Sequence, residues 1–170
     1  EIQSINNQIL EEHITKKTKL CIDNRLYFKK FLFNNYKKSF ENENKLMENK
    51  NIQKFVCEIN KNLKIIGVTQ FGKIFQIDWR LIINNDYKLD RRLLGNINPN
   101  EIINFHGIDK KTKSYLCTLS SDGRFKKVLF DNDIANSNRT FSITKLKKDV
   151  KIIDSFVSYE EENLIILTSI

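Results

Sequence analysis

Apolar and polar positions recur along the chain in one pattern. Ile65-Ile66-Gly67-Val68 runs into Thr69-Gln70-Phe71-Gly72 and then Lys73-Ile74-Phe75-Gln76. Tyr115-Leu116-Cys117-Thr118-Leu119 runs into Ser120-Ser121-Asp122-Gly123 and then Arg124-Phe125-Lys126-Lys127. In both, an apolar run ends in Thr or Ser, and two residues, a glycine, a basic residue and an apolar one follow. Each predicts two strands joined by a tight turn, with Gly72 and Gly123 taking the positive φ that other residues resist. Asp122-Gly123 is a strong hairpin signal. A weaker third copy, Leu20 to Lys29, puts Asn24 where glycine would stand, and Asn is the next best residue in a left-handed conformation. A fourth begins at Leu164-Ile165-Ile166-Leu167-Thr168-Ser169 and projects its turn to position 171. The turns then fall at 24, 72, 123 and 171, spaced by 48, 51 and 48 residues.

The match extends upstream. Counting back 20 or 21 residues from the turns reaches Ile52, Ile102 and Val150, each opening another apolar segment. Polar turns follow at Asn60-Lys61-Asn62, Lys110-Lys111-Thr112-Lys113 and Glu160-Glu161-Glu162-Asn163. A unit of about 50 residues thus holds about four short strands, the size of one propeller-type blade. The reading is all-β, with approximate units 14–51, 52–100, 101–148 and 149–170 after a lead-in at 1–13. Ile2, Ile5 and Ile9 fit a helical stripe in the lead-in, or an extended segment equally well. Residues 34–51 are polar and charged and read as an exposed loop or insertion.

Composition adds a bias. The chain has 24 Ile, 23 Lys and 21 Asn but one Ala, as an AT-rich coding sequence would favour. The net charge of +8 has two open explanations: that bias, or an anionic partner such as nucleic acid or a membrane surface. The longest apolar stretch, Leu164 to Leu167, is four residues, far short of a transmembrane helix. Glu1-Ile2-Gln3-Ser4 is no signal peptide, and the lack of an initial Met suits a fragment or a processed chain. Cys21, Cys57 and Cys117 form no CxxC pair, which argues against a zinc site and reads as buried reduced thiols. His13 and His106 have no acid or thiol partner by motif and read as surface or packing histidines. No phosphate-cradling glycine loop and no catalytic constellation is present, and no cofactor or metal is expected.

With these units in register, the sequence resembles the C-terminal repeat domain found in the DNA-cleaving (GyrA-type) chain of DNA gyrase and in its counterpart from topoisomerase IV. The residues that carry the resemblance are Val68 to Phe75, Leu119 to Lys127, and the connectors Arg139 to Asp149 and Leu94 to Ile102. It covers residues from about 14 to 170. The resemblance implies a β-pinwheel, a propeller-like disc of four-stranded blades, of which this chain would make about three and a half. It also implies that the DNA-cleaving tyrosine and the ATPase site of such an ATP-dependent type II topoisomerase (an isomerase) lie elsewhere. A Gln-Arg-Arg-Gly-Gly-type box, tied in the gyrase chain to wrapping DNA into a chiral loop, has no counterpart in Tyr36 to Lys45. That puts gyrase-type supercoiling in doubt.

The expected activity is binding rather than catalysis. Basic residues recur after the turns: Arg25, Lys29 and Lys30; Lys73; Arg124, Lys126 and Lys127. On equivalent blade positions they would line one rim and attract double-stranded DNA through counterion release, reading no bases. Lys145, Lys147, Lys148 and Asp149 are read as organising the connector, and Trp79 and the Phe residues as packing. The implied partners are duplex DNA, the remaining domains of the same polypeptide and the separate ATPase chain of the topoisomerase, with no membrane, in a bacterial nucleoid or a plastid-type organelle. The competing reading is a propeller-like platform for protein partners, in which the charge serves solubility.

Overall fold

In the computed structural model of the chain, the described residues are 19–23, 26–31, 53–78, 87–88, 94–130 and 140–159. For residues 19, 21, 23, 27–31, 53–56 and 87–88 the description is limited to the backbone. The lead-in at 1–13, the polar loop at 34–51, Trp79 and the fourth copy from Leu164 lie outside the described residues.

Three hairpins set the frame. They are β1 (Lys19–Asp23) with β2 (Tyr27–Phe31), β4 (Leu63–Thr69) with β5 (Lys73–Ile77), and β8 (Ser114–Ser120) with β9 (Phe125–Phe130). Their registers coincide: Ile22 faces Phe28, Val68 faces Ile74 and Leu119 faces Phe125. Gly72 at φ 73° and Gly123 at φ 79° take the left-handed conformation, as the sequence predicts. The corresponding residue of the first hairpin, four positions after Ile22, is Leu26 at φ 62°. Asn24, expected there, lies outside the described residues. A left-handed leucine costs roughly 1–2 kcal/mol. Leu26 is only 8% exposed and sits in the first core, and burying its side chain contributes roughly 1.5–3 kcal/mol, which outweighs the strain.

The repeat units and the sheets are not the same bodies. The strand opening each unit pairs with the hairpin of the unit before: β3 (Gln53–Glu58) with β1, β7 (Ile102–Asp109) with β4, and β11 (Ile152–Tyr159) with β8. A two-residue strand of that following unit pairs on the other side: β6 (Tyr87–Lys88) with β2, and β10 (Phe141–Ser142) with β5. The sheets are β3-β1-β2-β6 (sheet A), β10-β5-β4-β7 (sheet B) and β11-β8-β9 (sheet C), and every pairing is antiparallel. Each opening strand carries a β-bulge at the same place, with Lys54, Ile103 and Ile153 as the extra residues. The turn from Asn60 to Asn62 is therefore a crossing from sheet A to sheet B. It is closed by Asn62 N–H on Asn60 Oδ1 at 2.8 Å. Asp109 does the same for Lys111 N–H, at 2.9 Å, on the way to sheet C.

Sheet B lies between two cores. Leu63 and Ile65 of β4 join Leu20, Ile22, Phe75 and Phe105 in the first, while Ile66 and Val68 join Ile74, Leu116 and Phe130 in the second. Burial on both faces explains why the β4 sequence is nearly continuously apolar rather than alternating. Gly67 faces Phe75 on one side and Phe105 on the other. The two rings meet edge-on with centroids 6.2 Å apart. A Cβ at Gly67 would lie 2.1 Å from Phe75 Cζ, so the ring takes the space a side chain would need.

The strain at Leu26 makes a specific expectation for urea unfolding. Leu26→Ala and Leu26→Gly both lower stability, but the glycine variant is the more stable by about 1 kcal/mol, because alanine keeps the left-handed penalty and glycine does not. The opposite order would show that Leu26 is not held at positive φ.

Candidate nucleic-acid interface

The connector from Ile143 to Ile152 ties the tips of two hairpins together. Ile143 N–H donates to the Gly72 carbonyl at 2.9 Å, and Ile152 N–H to the Gln70 carbonyl at 2.8 Å. On the other side, Ser121 N–H donates to the Lys151 carbonyl at 2.7 Å, and Lys151 N–H to Ser121 Oγ at 3.1 Å. Gly72 is required twice here, for its φ and because a Cβ would come within 2.8 Å of Thr144 Cγ2. Between these anchors the chain turns at Lys147 and Val150, with Asp149 at φ 65°. Ile143 is buried in the second core, which leaves Lys145, Lys147, Lys148 and Lys151 exposed.

This brings the connector lysines beside Arg124 and Lys126 at the hairpin tip. The connector and the 120–126 tip together carry six exposed cations and, within the same two segments, two carboxylates, Asp122 and Asp149. The preceding connector, Leu94 to Glu101, makes the same backbone contact, Gln70 N–H to the Glu101 carbonyl at 2.8 Å. It carries no lysine or arginine. Among the described residues, the charge is thus concentrated at the junction of sheets B and C. Four lysines within Lys145 to Lys151, one unit after a connector that has none, were the available sequence signal.

The hairpin cations divide. Lys73 is exposed at the first position of β5, its N–H held by Thr69 Oγ1 at 3.1 Å. Arg124 Nε pairs with Asp122 Oδ2 at 2.7 Å, and Ser120 Oγ donates to Asp122 Oδ1 at 2.5 Å. The Ser120 hydroxyl first, and Arg124 after it, hold the Asp122 carboxyl below the usual carboxylate range. Lys126 Nζ donates to the Ile143 carbonyl at 2.6 Å, which ties the strand to the connector. Lys127, next in sequence, projects from the opposite face of β9, its Nζ 4.2 Å from the centroid of the Tyr115 ring. Of the first hairpin, Arg25 and the side chains of Lys29 and Lys30 lie outside the described residues. By register, Tyr27 stands where Lys73 and Arg124 stand in the other two.

Below this rim the seam between sheets B and C is polar where β7 meets β11. His106 Nε2 is 2.9 Å from Ser155 Oγ. Asn104 Nδ2 donates to Asp154 Oδ1 at 2.7 Å and to the Ser155 carbonyl at 3.0 Å. Burial lowers the His106 pKa from 6.5 to about 4, against a smaller opposing pull from the Asp154 charge. The ring is therefore neutral at neutral pH and acts as a packing and hydrogen-bonding group.

Antiparallel sheets that share cores face to face and borrow strands from the following unit define a β-pinwheel. A solved structure of the C-terminal domain of DNA topoisomerase IV is similar, with a TM-score of 0.58 and 18% identity. The match covers 83% of this chain and 45% of that one, so the chain spans less than half its length. At this identity the likeness is one of fold. No protein-family model matches the sequence, and no curated protein does. Among the described residues, no group of three or more His, Cys, Asp and Glu could hold a metal ion, and no helix is long and apolar enough to cross a membrane.

The depressed His106 pKa sets a pH dependence. Between pH 6.5 and about 4 the unfolded chain binds a proton that the folded chain does not, so stability falls as pH drops through that window and is unaffected by this group above it. The loss by the acid end is about 2–3 kcal/mol, allowing for partial solvent screening. Urea midpoints measured at about pH 7.5 and about pH 4.5 should differ less in His106→Gln than in the unsubstituted chain. An equal difference in both would remove His106 as the cause.

Proposed function

We propose that this chain is a non-catalytic module that binds duplex DNA through its phosphates. It would bend the duplex and position it for a catalytic core carried elsewhere in a type II topoisomerase. The observation that carries the reading is the convergence of Lys145, Lys147, Lys148 and Lys151 with Arg124 and Lys126 on one rim. The topoisomerase IV domain of similar fold supports it. Exposed cations gathered on one rim suit a polymer with one charge per about 1.7 Å of axis, and binding releases its condensed counterions. Contacts to phosphates position a duplex without reading its bases, so binding is sequence-tolerant. Bending a short site costs of order 1–6 kcal/mol, which added phosphate contacts on the rim offset. Lys73 extends the surface toward the tip of the β4–β5 hairpin.

A second reading, a platform for a protein partner, draws on the outer face of sheet C. Phe125 and Leu129 stay 41% and 40% exposed there, beside Phe156 stacked on Phe125.

Affinity for a random-sequence duplex, followed by fluorescence anisotropy against salt, separates the two. Neutralising about four phosphates predicts a roughly 100-fold loss of affinity between about 50 and 200 mM salt. Replacing Lys145, Lys147, Lys148 and Lys151 together by Gln should weaken binding and flatten that slope. Equal, weak affinity at both salts would defeat the DNA reading and favour the platform.

A further inference from the structure

The matching registers of sheets B and C expose one substitution of chemistry at a shared position. Phe75 of β5 faces Gly67, and Lys126 of β9 faces Thr118. These are the same places in the two hairpins. In sheet B the Phe75 ring is 3% exposed and fills the space over Gly67. In sheet C the glycine is a threonine and the phenyl ring is an ammonium that reaches out to the Ile143 carbonyl. Where sheet B has a packed aromatic ring, sheet C has a cleft of about 140 Å³ lined by Thr118, Ser120, Arg124, Lys126 and Thr144.

The donor set defines the guest. Two cations and three hydroxyls line the cleft; the Ser120 hydroxyl is taken by Asp122 Oδ1 at 2.5 Å, which leaves those of Thr118 and Thr144 to donate. Asp122 stays outside it, on the Nε edge of Arg124, where it orients the guanidinium. Lys126 gives the Ile143 carbonyl one hydrogen bond of the three an ammonium can make. Phe125, Leu146 and Ile152 supply its apolar wall. Against a water's share of about 30 Å³, the volume holds several waters or one tetrahedral oxyanion. A neutral apolar guest would cover the Lys126 ammonium without supplying a counter-charge.

We propose that this cleft seats a single phosphate group, held by Arg124 and Lys126 with the hydroxyls of Thr118 and Thr144, while the Ser120 hydroxyl stays committed to Asp122. Its source is either inorganic phosphate or a phosphodiester of a bound backbone. Only the second source rests on the DNA reading above.

The test titrates the full chain, ¹⁵N-labelled, with inorganic phosphate and with chloride at matched ionic strength. Phosphate should produce saturable shifts at the amides of Ser120, Lys126 and Thr144 that chloride does not. Lys126→Met and Thr118→Val should each abolish them, and Lys127→Met, on the opposite strand face, should not. Thr118→Val keeps the shape of the side chain, so it serves if Lys126→Met fails to fold. Absence of saturable shifts, or shifts unchanged in both variants, overturns the proposal. A parallel titration with a short DNA duplex identifies the source. A loss of about tenfold in affinity and of about one in the salt slope for Lys126→Met, with Lys127→Met unaffected, assigns a backbone phosphodiester. Phosphate shifts with unchanged duplex affinity support the cleft and assign free phosphate. If the unsubstituted chain binds no duplex, the DNA reading falls, and the phosphate titration alone decides the cleft.

Discussion

Exchange of strands between successive units is the constraint on which the architecture depends. Buried backbone donors and acceptors must be paired, and none of the described hairpins is flanked by strands of its own unit. The β4–β5 hairpin is flanked by β7 and β10, both from the unit that follows. The chain must therefore pass from each sheet to the next and return, and its connectors cross the hairpin tips to do so. That route puts Ile143, Lys151 and Ile152 in hydrogen-bonding contact with Gln70, Gly72 and Ser121. The rim is a by-product of sheet closure. The rims differ in the side chains their connectors carry, asparagines and a glutamate in one and lysines in the next.

The two seams show how far one backbone frame can vary in chemistry. Between sheets A and B, Cys57 packs against a core that holds Phe105. At the corresponding places between sheets B and C stand His106 and Ser155, joined by a hydrogen bond. The first seam meets there through apolar area. The second trades part of that area for directed contacts and for a histidine whose burial disfavours its charged form. The same trade at Phe75 and Lys126 turns a filled position into an open one. In both cases the third sheet is the more polar version of the second.

Much of the frame was legible in the sequence, for reasons that show where legibility stops. Gly72 and Gly123 announce their turns because few residues tolerate positive φ. Leu26 gives no such signal: its left-handed conformation is secured by burial, a tertiary effect that local propensity cannot register, and Asn24 two residues earlier is the better local candidate. Strand exchange was hidden for a related reason. Alternation reveals that Gln53–Glu58 is a strand, not which neighbour it pairs with. Among the cations, Lys126 and Lys127 look like one motif in sequence, yet the period of two in a strand sends them to opposite faces. The connector lysines were visible, but their place beside Arg124 depends on hydrogen bonds between residues far apart in the chain.

Borrowed strands also bear on synthesis of the protein. The second strand of the first sheet ends at Phe31, and its outer partner is Tyr87–Lys88. A ribosome adding 5–20 residues per second needs roughly 3 to 11 s to cover that interval. During it the nascent first hairpin presents an unpaired β2 edge to every other chain nearby. Lys29 and Lys30 lie on that edge and Lys126 and Lys127 on the strand in the same position of the third sheet. Paired lysines on a waiting edge discourage pairing with the wrong chain. Lysines at these positions suit an edge that waits for its partner strand.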